Sequence, residues 1–398
     1  MITVEEHLAQ ILAAVRPVEA TTMPLAAALG RVLCEPVRSA VDLPLFDNSA
    51  MDGFAVRFAD VQSASATAPV VLRVVADLPA GTADDPTLAP GEAARIMTGA
   101  PVPADADTIV PFEDTAGGLA DSLAEATVLA APAARGAHIR PQAEEHRVGD
   151  VILEAGEVLG ARQLAAAAAA GVAEVTVSRR PRAAVISTGD ELAQPGEPLR
   201  RGQIPESNST LLEGLCRENG AEIVLRTQVD DAGDALQRAL ADATALGADL
   251  VITSGGVSAG AYEVVRNVMP MSFEQVAMQP GKPQGFGDGA PLLFGLPGNP
   301  VSVAVSFEVF VRPALLAMQG AREQGRIVLP MRVTEAWRTP AGRRQYRPVV
   351  VERDGVRPAS SGGSHLAASL GRAQAYAIVP ADVDSVAVGD VVDVMLVP

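Results

Sequence analysis

Leu250-Val-Ile-Thr-Ser-Gly-Gly-Val-Ser-Ala-Gly260 decides how this chain is read. Its first four residues form a short apolar run, and glycine and serine then end it, the signature of a strand that opens into a loop. The arrangement recurs twice. Ala183 to Ser187 runs into Ser187-Thr-Gly-Asp-Glu191, and Leu292 to Phe294 runs into Gly295-Leu-Pro-Gly-Asn-Pro300. Between and beyond them, Leu211 to Asn219, Ala232 to Leu246 and Val301 to Met318 read as helices, and Glu222 to Val229 as a further strand. Such alternation from Arg182 to about Gly320 implies βαβ units around a largely parallel sheet. The carboxyl ends of parallel strands share one edge, where ligands bind at the point at which the strand order reverses. Turns stripped of side chains let backbone N–H groups approach phosphate oxygens. A helix starting at Val301 would aim its positive end at the same place.

The flanking sequence has a different rhythm. Thr3 followed by Glu6 forms a capping box, after which Leu8, Ile11, Leu12 and Val15 fall on one helix face until Pro17. From Pro44 to His138 short apolar runs such as Val70 to Val75 and Thr108 to Pro111 are punctuated by Gly, Pro and Asp, which indicates a small β-rich unit. A strand, Val151-Ile-Leu, and a helix, Ala161 to Ala170 ending at Gly171, follow and are expected to rejoin the first helix, so the β unit reads as an insertion. Strand-like runs after Arg326 form a last β domain. The expected division is 1–45 plus 139–177 as a mixed linker, 46–138 inserted, 178–325 α/β and 326–398 C-terminal.

Hydrophobic residues make up 48% of the 398 positions but aromatics only 3%, so the cores must be built from Ala, Val, Leu and Ile. Thirty-one basic against 48 acidic residues give a formal charge of -17, which argues against nucleic acid as a partner. Cys34 and Cys216 lie far apart without metal spacing and read as thiols of a reducing cytosol. The N-terminus lacks the pattern of a signal peptide, and the most apolar run, Leu164 to Val172, is too short to cross a bilayer. A cytoplasmic protein without a membrane segment is therefore expected.

An anionic ligand in so acidic a chain needs a local positive pocket. The chain contains one lysine, Lys282, in Met278-Gln-Pro-Gly-Lys-Pro-Gln-Gly285. Lysine is a compact point charge where arginine is a planar fork, so a lysine kept among arginines marks a place the fork does not suit. Asp52, Glu144, Glu145, Asp190, Glu191, Asp230 and Asp231 all stand at loop positions. Such hard oxygen ligands suit Mg2+ bridging a substrate's phosphates, provided they converge. Gln203-Ile-Pro-Glu-Ser-Asn-Ser209 opens a helix with Asn208 or Ser209 as N-cap, or else grips a ribose or phosphate. No P-loop occurs, and Gly285-Phe-Gly-Asp-Gly-Ala290 precedes a strand, which excludes a dinucleotide fingerprint.

Six ordered motifs, Phe46-Asp-Asn-Ser-Ala-Met-Asp-Gly-Phe-Ala-Val56, Arg95-Ile-Met-Thr-Gly-Ala-Pro101, Ser187-Thr-Gly-Asp-Glu-Leu192, Ser254-Gly-Gly-Val-Ser258, Pro280-Gly-Lys-Pro283 and Gly295-Leu-Pro-Gly-Asn-Pro-Val-Ser302, resemble the molybdopterin molybdotransferase family over nearly the whole chain. The resemblance implies a multidomain α/β protein. Its parts are a three-layer α/β/α molybdopterin-binding domain with a mostly parallel sheet, an inserted β-rich domain, a mixed linker and dimerisation domain, and a C-terminal β-barrel-like domain. It implies insertion of molybdate into adenylated molybdopterin with Mg2+ and release of AMP, by a homodimer with its active site between subunits. Molybdopterin adenylyltransferase and molybdoenzymes would be its partners.

On the same resemblance, catalytic roles fall to Asp52, Thr98, Glu145, Asp190, Glu191, Asp231 and Lys282, the five carboxylates also being the Mg2+ ligands. The pterin, nucleotide and oxyanion fall to Ser207, Asn208, Ser254, Gly255, Gly256, Val257, Ser258, Gly281, Pro283, Gly298, Asn299, Pro300 and Ser302, with Arg343 or Arg347 and Ser364 from the last domain. The chain departs from the usual pattern at Ala143-Glu-Glu145, at Ala261, where Glu263 is the nearest acid, and at Gln279, Glu206 and Asp105. The last is tolerable if its backbone is left-handed. A molybdopterin adenylyltransferase and a non-catalytic scaffold of the same fold are the alternatives.

Overall fold

The computed structural model describes residues 1–118, 123–230, 233–257 and 264–397. Six strands form the central sheet, in the order Glu222–Val229, Arg182–Thr188, Leu250–Ser254, Leu292–Leu296, Pro283–Gly287 and Ser272–Gln275. The first four are parallel and the last two antiparallel. Along each parallel strand successive side chains alternate between faces. Ala183, Val185, Leu250, Ile252 and Phe294 enter a core with Leu212 and Cys216 of the helix Asn208–Glu218. Ala184, Ile186, Val251 and Leu293 enter another with Leu236, Ala239 and Ala243 of the helix Asp234–Ala245. Helices thus cover both faces, the three-layer arrangement the family resemblance implied.

From Arg182–Thr188 the chain first adds a strand on one side and then returns to add Leu250–Ser254 on the other. The reversal of strand order therefore falls between these two, and the register that pairs Ser187 with Ser254 and Ser254 with Leu296 brings three strand ends level. Pro300–Met318 forms one long helix behind this edge, with a π segment at Phe307–Val311. Pro313 lacks an N–H and its ring crowds the preceding turn, which the widened segment accommodates. This helix is apolar and long enough to cross a membrane, yet 94% of its apolar window is buried inside the molecule, as befits a core helix.

Gly53–Val56, Val70–Leu78, Glu92–Ile96, Thr108–Pro111 and Glu125–Val128 make a five-stranded sheet with apolar clusters around Phe54 and around Ile96. Ala20–Pro24 pairs with Glu174–Ser178, and Val37–Arg38 with Val151–Leu153, around Leu33, Leu159 and Val177. The capping box at Thr3 is present, and Val4–Ala14 is helical. That helix corrects one expectation. The helix Ala161–Ala169 does not rejoin it but packs near Leu25–Ala27. Val4 and Ile11 lie instead in the α/β core with Phe307 and Phe310, because the apolar face of Val4–Ala14 is matched by the long core helix.

In the last segment the sheet runs through Arg344–Glu352, Ala375–Val379, Val391–Leu396 and Val328–Arg332. Gly355–Pro358 pairs with the first of these, and a bridge from Val333 to Val356 links the far side back to it, giving a barrel-like closure. Met278–Gln279 joins this sheet in parallel with Arg344–Glu352, whereas Pro283–Gly287, a few residues on, belongs to the central sheet. The turn carrying Lys282 is the crossing between the two.

Candidate active site

A cleft of about 870 Å³ opens where the strand order reverses. Its floor is the two neighbouring strand ends. Gly255 and Gly256 have φ of +96° and +64°, and a Cβ at Gly255 would lie 2.7 Å from the Thr188 carbonyl oxygen and 2.9 Å from Thr188 Oγ1. Only glycine lets this turn lie against Thr188. Gly298 from the third loop packs beside it, the position of its absent Cβ being 3.5 Å from Gly255 Cα.

One wall is the start of the helix Asn208–Glu218. The expected cap, Asn208 or Ser209, is corrected: Ser207 occupies the N-cap position without a side-chain capping bond, and Glu206 does the work. Its buried carboxylate accepts from Ser209 N–H at 2.8 Å, from the Ser209 hydroxyl and from Ser187 Oγ at 2.9 Å. A carboxylate that reaches forward satisfies the orphan donors as well as a hydroxyl at the cap. Asn208 is freed for another task, and its Nδ2 donates to Gly298 O at 2.7 Å.

The opposite wall is the Pro280-Gly281-Lys282-Pro283 turn, with Lys282 half-buried in the cleft. From the C-terminal domain Ser364 closes the end. Its Oγ accepts from Asn299 Nδ2 at 3.0 Å, and its carbonyl takes the Val301 N–H at 3.1 Å, so one of the N-terminal donors of the long helix is already bonded. Ser302, in the first turn of that helix, is buried against the cleft.

Of the expected site residues, Glu191, Lys282, Ser207, Asn208, Ser254, Gly255, Gly256, Val257, Gly281, Pro283, Gly298, Asn299, Pro300, Ser302 and Ser364 line this cleft. Ser258 and Asp231 lie outside the described residues, as do Ala261 and Glu263. Arg347 lines a small adjoining cavity of about 20 Å³ that shares Gln279, Pro280 and Ser364 with the cleft. It is 8% exposed, with Nη2 donating to Ser360 O at 2.7 Å and Nε buried without a partner among the described residues. Burial holds its pKa below the usual arginine value. Arg343 lines neither the cleft nor this cavity, and its Nη1 donates to Gln279 Oε1 at 2.7 Å.

Four further expected residues do not line the cleft. Asp52 Oδ1 accepts from Thr98 N at 2.7 Å and Thr98 Oγ1 at 2.8 Å, and these bonds hold its pKa below the usual carboxylate range. The pair stands exposed on the β-rich sheet. Glu145 is exposed beside Leu43, and Asp190, next to Glu191, is exposed outside the cleft. Among the described residues no three of His, Cys, Asp and Glu stand together as a metal site, so Asp52, Glu145, Asp190 and Glu191 do not converge there, and the fifth expected Mg2+ ligand, Asp231, lies outside the described residues. Sequence adjacency to a glycine loop placed Glu191; Asp190 shares that loop but is exposed outside the cleft, and Asp52 and Glu145 belong to other segments of the chain. Asp105 has no positive φ; its Oδ2 accepts from Leu88 N at 3.1 Å instead.

Thr188 and Glu206 are among the cleft residues to which the sequence alone assigned no site role. Thr188 ends a strand and Glu206 precedes a helix, positions at which many residues serve only local structure. For Glu206 the one available signal was an acid immediately ahead of a Ser-Asn-Ser cap.

Comparison with known proteins matches this architecture segment by segment. Residues 2–171 match the MoeA N-terminal region (domain I and II), 184–317 the probable molybdopterin binding domain, and 330–397 the MoeA C-terminal region (domain IV). The chain is 44% identical over 408 aligned positions to molybdopterin molybdenumtransferase 2 of Mycobacterium tuberculosis, covering 98% of each. It is 42% identical over 303 positions to molybdopterin molybdenumtransferase of Nostoc sp., covering 74% of this chain and 68% of that one. The crystal structure of the molybdopterin biosynthesis moeA protein of Pyrococcus horikoshii OT3 superposes with a TM-score of 0.88 at 28% identity, covering 100% of both chains. Motifs, sheet order and full-length similarity agree, and the chain belongs to the molybdopterin molybdenumtransferase family, transferases of molybdenum cofactor biosynthesis.

Proposed function

We propose that this protein inserts molybdate into adenylated molybdopterin and releases AMP. The observation that carries the reading is the convergence of three strand-end loops, the sole lysine and Ser364 of another domain on one cleft. The Gly255 N–H is already given to Leu296 O at 3.1 Å, and the side-chain-free backbone of Gly256 and of the Gly298 loop suits the phosphates of the adenylated pterin. Lys282, Ser302 and Ser364 suit a small tetrahedral dianion, for which a point charge and hydroxyls fit better than a fork. Arg347, buried beside that end without an ion pair among the described residues, is the arginine we assign to the oxyanion in preference to Arg343.

Asp52 and Thr98 complete the reading if a second subunit presents them, so the active form is a homodimer with the cleft between subunits. Mg2+ would neutralise the pyrophosphate when bound with the substrate. Glu191 lines the cleft and Asp52 has a pKa held low, but no ligand cluster stands among the described residues, and the chemistry assigned here to the protein's own residues does not depend on one. The segments 1–45 plus 139–177, 46–138, 178–325 and 326–398 then act as linker and dimerisation, inserted, binding and closing domains. Such a cytoplasmic enzyme would take its substrate from a molybdopterin adenylyltransferase and pass its product to molybdoenzymes.

The test is turnover of adenylated molybdopterin with molybdate and Mg2+, followed as AMP release. The parent protein should release AMP, and Asp52→Asn should bind the adenylated pterin without releasing it. Pyrophosphate release from ATP and unadenylated molybdopterin would favour an adenylyltransferase, and no turnover of either substrate would favour a scaffold.

A further inference from the structure

The two walls of the cleft differ in chemistry, and the difference traces to one buried carboxylate. Glu206 is 2% exposed, and an ionised carboxylate only accepts. Arg226 stands behind it, its Nη2 4.0 Å from Oε2 and its Nε donating to Ser209 Oγ at 2.9 Å. Ser187 directs its single hydroxyl proton to Glu206 at 2.9 Å, which leaves Ser187 only lone pairs to offer its neighbour. Ser254, its register partner on the adjacent strand, donates to it across 3.4 Å. A hydroxyl has one proton, so Ser254 turns lone pairs to the cleft.

Asn208 adds a second acceptor. The bond from its Nδ2 to Gly298 O sets the orientation of the amide, because the flipped form would place two oxygens against each other. Its Oδ1 is then buried at the cleft with no partner among the described residues, and the whole residue is only 9% exposed. Across the cleft Lys282 is the reverse, a group with three donors and no acceptor. Molybdate and a pyrophosphate bridge carry no proton to donate at mildly alkaline pH, so neither can satisfy the first wall. An O–H or N–H can.

We infer that Ser254 and Asn208 form an acceptor wall that binds a neutral hydrogen-bond donor of the nucleotide, and that Glu206 is the positioning residue that sets the wall's polarity. The inference rests on the reading of this cleft as the site of a nucleotide and an oxyanion. It fixes the direction of the ligand, with the oxyanion at Lys282 and the donor-bearing end of the nucleoside toward Glu206. A ribose hydroxyl and a purine amine offer the same chemistry here.

The experiment is calorimetric titration of the full chain, at mildly alkaline pH, with AMP, its dideoxyribose analogue, the analogue lacking the purine amino group, and molybdate. In Glu206→Gln the amide nitrogen can donate to Ser187 and reverse the chain. Ser254→Ala removes one acceptor and leaves the bonds of Glu206 intact, so it serves if the first variant is unstable. Each should bind AMP about tenfold more weakly, the size of one neutral hydrogen bond, and molybdate within about twofold of the parent. The parent should discriminate by about tenfold against whichever analogue lacks the donor, and Glu206→Gln should erase that gap. AMP affinity unchanged in both variants, equal loss of AMP and molybdate, or a parent that binds all three nucleotides alike would overturn the inference. A parent that binds neither AMP nor molybdate would instead overturn the function on which it rests.

Discussion

Replacing Gly255 by alanine tests whether the floor of the cleft is built as described. With φ of +96° the residue sits where an L side chain is strained, at a cost of about 1–2 kcal/mol. The added Cβ would also stand 2.7 Å from the Thr188 carbonyl oxygen and 2.9 Å from its hydroxyl. Neither atom is the free end of a flexible chain, because Thr188 closes a central strand. Relieving such overpacking costs about 1–3 kcal/mol, so the total is about 2–5 kcal/mol. That is a large part of the roughly 5–15 kcal/mol available to a typical domain. Gly214 supplies the control. It lies inside the helix Asn208–Glu218 with nothing within 4 Å of a new Cβ, so Gly214→Ala should stabilise by about 0.5–1 kcal/mol. Thermal unfolding should move in opposite directions for the two variants, with Gly255→Ala falling by about 5 °C or more and losing affinity for AMP. Unchanged melting and AMP affinity in Gly255→Ala would refute the account of the floor.

Acid should loosen the first helix. His7 is 2% exposed between the edges of Phe286 and Phe310, with ring centroids at 6.4 and 4.8 Å, and burial pulls its pKa from 6.5 down to about 4. The unfolded chain takes up the proton first, so the contribution is fully present above pH 6.5 and is lost as the pH falls toward 4. The loss amounts to about 3 kcal/mol, and His7→Leu should flatten that part of a stability-against-pH curve measured by denaturant titration. Ala143, at φ +58°, occupies a left-handed position that suits glycine. Ala143→Gly should therefore stabilise the fold by up to about 1 kcal/mol and raise the unfolding midpoint, and a lowered midpoint would show that the strain is absent.

Much of the site could be read from local signals, because the chemistry of a glycine turn is local. A short apolar run followed by Ser254-Gly-Gly-Val specifies a strand end that no side chain covers, and three such ends in an alternating segment imply a shared edge. Glu191, Ser254, Gly255, Gly256, Val257, Gly298, Asn299 and Pro300 line the cleft for that reason. The carboxylates failed the same logic. Asp52, Glu145 and Asp190 share loop positions and hard oxygen atoms with Glu191, but a residue type records neither which segment of the chain faces the cleft nor which way a side chain turns within its own loop. Arg347 and Arg343 were indistinguishable in sequence, and only the fold buries one and bonds the other to Gln279.

Period and punctuation along the chain were enough to establish the central parallel sheet, the capping box at Thr3 and the lone lysine at a turn, since each depends on residues within a few positions of one another. Distance in sequence hid the rest. That Val4–Ala14 packs on Phe310, that the Lys282 turn crosses from one sheet to another, and that Glu206 aligns the protons of Ser187 and Ser254 are outcomes of three-dimensional closure. They depend on which surfaces remain unburied once the strands have paired, and that free-energy balance is struck by the whole chain at once.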